Sequence, residues 1–226
     1  MKMKVAVLQT KVFADKNENL EQVKALMARE DVAACDLVAL PEMWNCPYQT
    51  ENFPIYAERE DSEFVRALAE LAKEHQVYFQ AGSIPEVDDA GHVYNTAYTF
   101  DREGKCIDKY RKVHLFDIFV KGGQVFKESD TLTAGDAFRV FDTEFGKMGV
   151  NICFDIRFPE SARIPTLHGA RILMNPGAFN MTTGPAHWEL AFRQRAVENQ
   201  VYMIGAAPAR DPEAGYTSWG HSIITD

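Results

Sequence analysis

The chain has 226 residues, 46% apolar and 25% charged, a mix that excludes intrinsic disorder, collagen-like repeats and low-complexity sequence. Asp plus Glu number 33 against 24 Lys plus Arg, so the net charge is −9, and the overall field excludes nucleic acid and anionic membranes as partners. A local basic pocket for a small anion is compatible with that balance. The opening MKMKVAVLQT holds an apolar run too short for a secretory signal, and no apolar stretch approaches the roughly 18 residues of a membrane span. Cys35, Cys46, Cys106 and Cys153 are far apart and form no CxxC pair. That spacing predicts neither a disulfide scaffold nor a zinc site, and it fits reduced thiols in a cytoplasmic protein without a metal.

In chain order, residues 5–8 read as a strand and 17–29 as a helix, with Leu20, Val23 and Met27 on one face. Residues 37–40 form a continuous apolar run stopped by Pro41, the pattern of a buried strand. Asp61-Ser62 caps a second helix in which Phe64, Leu68 and Leu71 share a face. Strands are predicted over 77–81 and 94–100, with turns at 87–92 and 101–105. Further strands are predicted at 138–141, 148–153, 171–174, 201–206 and 220–225, and a helix at 188–198. The alternation predicts mixed sheets covered by helices on their outer faces, in one α/β or α+β layered domain spanning 1–226. The last predicted strand ends at Asp226 with no finishing element, so the domain is expected to be incomplete at its C-terminal end.

Cys153 ends an apolar strand, in Ile152-Cys153-Phe154-Asp155-Ile156-Arg157-Phe158-Pro159-Glu160. A strand-to-helix turn there would project a nucleophile and aim the following backbone N–H groups at one spot. The competing reading is a buried structural cysteine. A thiol nucleophile needs a base, yet none of His75, His92, His114, His168, His187 and His221 lies in a pattern that marks one. A desolvated carboxylate can do the same work. Glu42, following Leu37-Val38-Ala39-Leu40-Pro41, stands at the mouth of a buried strand. Lys112 sits among aromatic and apolar residues in Tyr110-Arg111-Lys112-Val113-His114-Leu115-Phe116. It reads either as a partly buried charge able to face an oxyanion or as an exposed member of a basic run. Glu128 has no distinguishing context of its own.

Together, Leu40-Pro41-Glu42, the Lys112 segment and Cys153-Phe154-Asp155-Ile156-Arg157-Phe158-Pro159-Glu160 resemble the three blocks of the nitrilase (carbon–nitrogen hydrolase) superfamily, in the family's order. The similarity runs from Val5 to the last residue. The segment Asn175-Pro176-Gly177-Ala178-Phe179-Asn180, continued by Thr182-Thr183-Gly184-Pro185-Ala186-His187-Trp188-Glu189, resembles the ω-amidase branch. Relatives acting on deaminated glutathione share Gly-Pro-Ala-His-Trp but usually differ at Gly177 and Asn180.

The resemblance implies a four-layer α-β-β-α sandwich that pairs into a homodimer. It implies Glu42 as general base, Cys153 as nucleophile, Lys112 as stabiliser of the tetrahedral intermediate and Glu128 as the residue orienting the lysine. No cofactor is expected. The expected reaction releases ammonia from the ω-amide of a short 2-oxo dicarboxylate through a thioester. The Phe154 N–H would assist Lys112, and Tyr48, Arg157, Asn180 and Thr183 are candidates for holding the substrate. The alternatives are another amidase or a nitrilase of the superfamily, a non-catalytic binding protein on the same fold, and a redox sensor based on an accessible Cys153 thiolate.

Overall fold

The first sheet grows from the N-terminus. The computed structural model describes residues 2–119, 121 and 125–226, beginning with β1 (Val5–Val7), α1 (Lys16–Met27), α2 (Glu30–Ala33) and β2 (Leu37–Ala39). The short α3 (Phe53–Tyr56) and the longer α4 (Glu63–His75) follow, then β3 (Tyr78–Val87), β4 (Val93–Phe100) and β5 (Cys106–Arg111). These five strands pair in chain order, with β1, β2 and β3 parallel and β3, β4 and β5 antiparallel. Asp15 caps α1 by accepting from the Asn17 N–H, and Ser62 caps α4 by accepting from the Val65 N–H.

A small hairpin of β6 (Asp117–Phe119) and β7 (Val125–Lys127) separates the sheets. The second sheet uses β8 (Phe141–Thr143), β9 (Gly146–Val150), then α5 (Glu160–Leu167), β10 (Ile172–Pro176), α6 (Thr183–Asn199), β11 (Tyr202–Ala206) and β12 (Ile223–Thr225). Its strand order is β12-β11-β10-β9-β8, with parallel pairing at the centre and an antiparallel strand at each edge.

Side-chain alternation along β2 decides the layering. Leu37 and Ala39 join a core with Val150, Ile172 and Met174 of the second sheet, whereas Val38 and Leu40 pack with Val23, Leu68 and Leu71 of α1 and α4. Trp188, Phe192 and Ala196 of α6 and Ala162 of α5 cover the second sheet from outside. The result is the four-layer α-β-β-α sandwich expected from the resemblance.

Four of the boundaries that differ from the sequence reading bear on the site. The strand predicted at 77–81 continues to Val87 through a register shift between Gln80 and Ser83. Gly82 makes this continuation possible: its φ is +62°, and a Cβ there would lie 2.1 Å from the Pro41 carbonyl oxygen. The backbone thus passes tightly under the Pro41-Glu42 segment. The strand predicted at 138–141 begins only at Phe141, because the chain before it leaves the sheet to cross the end of β5, where Gly135 N–H donates to the Lys112 carbonyl at 2.8 Å. The strand predicted at 148–153 ends at Val150, and Cys153 opens a 3-10 turn, Cys153–Arg157. The helix predicted at 188–198 starts at Thr183, since the Asn180 carboxamide oxygen accepts from the Thr182 and Thr183 N–H groups.

Candidate active site

Several chain segments leave their strands at the same end of the two sheets. Glu42 lies just beyond β2, Lys112 directly follows β5, Cys153 follows β9, and Gly177-Ala178 follows β10. Open α/β sheets present ligand sites at such carboxyl ends, where backbone groups are no longer consumed by the ladder. Met43, next to Glu42, and Cys153 itself have φ of 50° and 47°. Left-handed backbone at non-glycine residues costs about 1–3 kcal/mol and persists where the surroundings fix it. Here it turns both side chains inward.

Glu42, Lys112 and Glu128 form one buried charged cluster. The Lys112 ammonium, wholly buried, donates to Glu42 Oε1 at 2.9 Å and to Glu128 Oε1 at 3.0 Å. Glu42 Oε1 also accepts from Asn95 Nδ2 at 2.8 Å, and its Oε2 accepts from the Ala178 N–H at 2.8 Å. Glu128 is fixed from its other side by the Phe116 N–H at 2.7 Å and the Tyr48 hydroxyl at 2.5 Å. Burial opposes the charge on Lys112, but Glu128 and Glu42 outweigh it and hold the ammonium well above its ordinary range. Burial, reinforced by Glu42, lifts Glu128 above the usual carboxylate range against the pull of Lys112. The exposed-lysine reading of residue 112 is therefore corrected. The basic run divides, and its last member points into the protein.

Cys153 faces this cluster, near enough for the Glu42 carboxylate and the Lys112 ammonium to act on its thiol. Burial, then the Glu42 carboxylate, push its thiol well above the ordinary value, with Lys112 pulling the other way. A thiol so disposed loses its proton only to an adjacent base. That push and its 5% exposure speak against the redox-sensor alternative, which requires an accessible thiol of low pKa. Phe154 is the second residue of the Cys153 turn, where helical N–H groups have no partner inside the turn.

The turn is held by Asp155, which the sequence reading left without a role. Its Oδ2 accepts from the Ile152 N–H at 2.9 Å and the Tyr110 hydroxyl at 2.7 Å. Its Oδ1 meets the His114 N–H and Nδ1, both at 2.8 Å. Asp155 thereby ties the Cys153 turn to the strand that delivers Lys112. Gly177 keeps space clear beside the same turn. A Cβ there would stand 3.4 Å from Cys153 Cα and 3.0 Å from the Trp188 ring, so a larger residue would crowd it.

The predicted substrate contacts separate into three groups. Phe154, Arg157 and Thr183 line a small cavity over Cys153, together with Phe116, Ala178, Phe179 and Tyr216. Arg157 makes no ion pair among the described residues, and its buried Nε has no hydrogen-bond partner. Burial lowers its pKa from the ordinary value. Tyr48 belongs instead to the charged cluster, its hydroxyl held by Glu128, while its ring borders a second cavity on the Glu42 side. Asn180 caps the following helix, its side-chain oxygen also accepting from Thr183 Oγ1 at 2.9 Å, and it is not among the residues lining these two cavities. Asn95, Ala178 and Tyr216 were missed. Asn95 and Tyr216 lie in segments with no local signal, and Ala178 contributes only backbone.

The sequence matches the carbon-nitrogen hydrolase family over residues 4–226. It is 48% identical over 223 residues to omega-amidase NIT2 of Mus musculus, covering 99% of this chain and 80% of that protein. Omega-amidase NIT2-A of Xenopus laevis is 49% identical, with the same coverage of both chains. Among solved structures, Saccharomyces cerevisiae Nit3, described as a member of branch 10 of the nitrilase superfamily, superposes with a TM-score of 0.89 at 40% identity. That match covers 99% of this chain and 82% of the yeast chain.

Proposed function

Because the chain belongs to the carbon-nitrogen hydrolase family and is an amidase of the nitrilase superfamily, we propose that it hydrolyses the ω-amide of short 2-oxo dicarboxylates such as 2-oxoglutaramate and 2-oxosuccinamate. The observation that carries this reading is Arg157, an arginine without an ion pair among the described residues, in the cavity that holds Cys153. A substrate with a free 2-oxo acid end has a carboxylate for that cation, and Thr183 adds a hydroxyl beside it. Binding energy at this remote end can position the amide carbon over the thiol and raise turnover. The naming of the relatives as omega-amidases supports the same substrate class.

In the proposed reaction, Glu42 takes the Cys153 proton and the thiolate attacks the amide carbon. Negative charge developing on the amide oxygen is met by the Lys112 ammonium and the Phe154 N–H. Glu42 returns the proton to the nitrogen, the C–N bond breaks, and ammonia leaves a thioester on Cys153. Water, deprotonated by Glu42, then attacks the thioester carbon. The C–S bond breaks, the acid departs, and the thiol regains its proton. Glu128 orients the lysine throughout. The raised thiol pKa supports this order of events, since proton removal has to accompany attack.

The cavity over Cys153 has a volume of about 10 Å³, so Phe116 and Phe154 must move apart as substrate binds. Turnover per unit KM for 2-oxoglutaramate, deaminated glutathione and a short aliphatic nitrile tests the substrate class. Either of the latter two proving the best substrate defeats the ω-amide reading and leaves the amidase assignment standing.

The protein is further proposed to act as a single-domain homodimer in the cytoplasm. Exposed Leu190 and Val197, seven residues apart on α6, support pairing through that helix, with Leu167 of α5 and Ile224 of β12 also exposed. A monomer by light scattering at micromolar concentration contradicts the dimer.

A further inference from the structure

Two neighbouring cavities border the reactive groups. One, about 10 Å³, is lined by Cys153, Phe154, Arg157 and Thr183. The other, about 60 Å³, is lined by Glu42, Tyr48 and Gln49 at its inner part and by Ala209, Asp211 and Ala214, among others. They share Ala178 and Tyr216 as a common wall. That wall is fixed by hydrogen bonds: the Ala178 N–H donates to Glu42 Oε2 at 2.8 Å, and the Tyr216 hydroxyl donates to the Ala178 carbonyl at 2.5 Å. The Tyr216 ring also packs on Tyr48 with centroids 4.7 Å apart.

We propose that the larger cavity is a water passage, delivering the hydrolytic water to Glu42 while the acyl chain occupies the Cys153 side. The inference rests on the thioester route given above. Charge sorts the two cavities. The Cys153 side offers the Arg157 cation, which has no ion pair among the described residues, whereas the charged residues of the larger cavity are Glu42 and Asp211, already paired with Lys112 and Lys11. A carboxylate gains nothing there, and a neutral molecule loses nothing. Size agrees, because a water needs roughly 10–15 Å³ of such space. The larger cavity therefore takes several. Its lining also includes the polar side chains of Gln49 and Ser218, which give water partners along the way.

Water reaching Glu42 by this path attacks the thioester carbon while the acyl chain keeps to its own cavity. Glu42 takes one proton, the new C–O bond forms, and the C–S bond breaks with the proton passing to sulfur. Blocking the passage should starve this second half-reaction and spare the first. Ala214→Phe and Ala209→Phe are two independent blocks away from the charged cluster, with Ala214→Ser as the control. The assay uses the best amide found in the substrate panel, so failure of the ω-amide reading changes the substrate and leaves this test intact.

The expected result is a fall in kcat of at least fivefold with kcat/KM within twofold, and accumulation of the Cys153 acyl adduct by intact-protein mass spectrometry after acid quench. A fall in kcat/KM without adduct would make the cavity the route of the amide itself and overturn the proposal. Unchanged kinetics in both Phe variants, with circular dichroism matching the parent, would overturn it too.

Discussion

Two cation–carboxylate clusters grow from the same stretch of chain and have opposite characters. At Lys109 and Arg111, within β5, the cations are about one-quarter exposed and converge on the buried Glu86. Burial pushes the Glu86 carboxyl up, but hydrogen bonds from Arg111, Thr96 and Lys109 outweigh it and leave its pKa below the ordinary value. One residue further on, Lys112 is wholly buried between Glu42 and Glu128. The first cluster satisfies a buried carboxylate by reaching to the surface. The second holds two carboxylates around one ammonium away from the bulk solvent. Buried ionic groups of this kind are weak evidence for stability, since desolvation offsets much of their attraction. Their arrangement serves chemistry.

The largest effects should come from breaking the inner cluster. Lys112→Ala and Glu42→Gln are each expected to lower amide turnover by about 100-fold or more, since a single oxyanion donor is worth roughly 3 kcal/mol in other enzymes. Ammonia release by each purified variant measures this. A loss below tenfold in either would reassign that residue. Asp155→Asn should cost about tenfold or more in kcat with KM little changed, because it loosens the turn carrying Cys153 without touching the substrate pocket. Equal changes in both constants would point to a disturbed pocket.

A third charge on the same strand sharpens the contrast. Asp108 is buried with Oδ2 unpartnered, and burial, opposed by Arg139, pushes its pKa from 3.8 up to about 7. Between those values the folded protein keeps a proton that the unfolded chain releases. Stability should therefore fall as pH rises from about 4 to 7, then level off, a contribution of about 2–4 kcal/mol. Asp108→Asn is expected to flatten this slope and to be the more stable protein at pH 8, read by urea unfolding at pH 5 and 8. An unchanged slope would show that Asp108 is not its source. The smallest effect belongs to the outer cluster. Lys109→Ala should cost about 1 kcal/mol or less and leave turnover within twofold, because Arg111 and Thr96 still satisfy Glu86.

The same contrast explains what the sequence could reveal. The apolar run at 37–40 and its proline were enough to set Glu42 at the end of a buried strand, and the strand before Cys153 was visible for the same reason. Lys109, Arg111 and Lys112 look alike in sequence. Only the crossing of the chain at Gly135 over the end of β5, and the carboxylates of Glu42 and Glu128 70 and 16 residues away, decide which is buried. Asn95 and Tyr216 were illegible because their roles exist only through such long-range contacts. The helix-capping part of Asn180 was legible on local grounds, since a polar side chain ahead of a helix bonds its first turn.

The central claim is that the buried inner cluster activates Cys153 as the nucleophile. The most direct test compares ammonia release from 2-oxoglutaramate by the parent protein and by Cys153→Ala, with circular dichroism and thermal unfolding to confirm an intact fold. The account predicts no turnover by the variant above the uncatalysed rate, and an acyl adduct on the Cys153 peptide of the parent quenched during turnover. Undiminished turnover by a folded Cys153→Ala protein would contradict it.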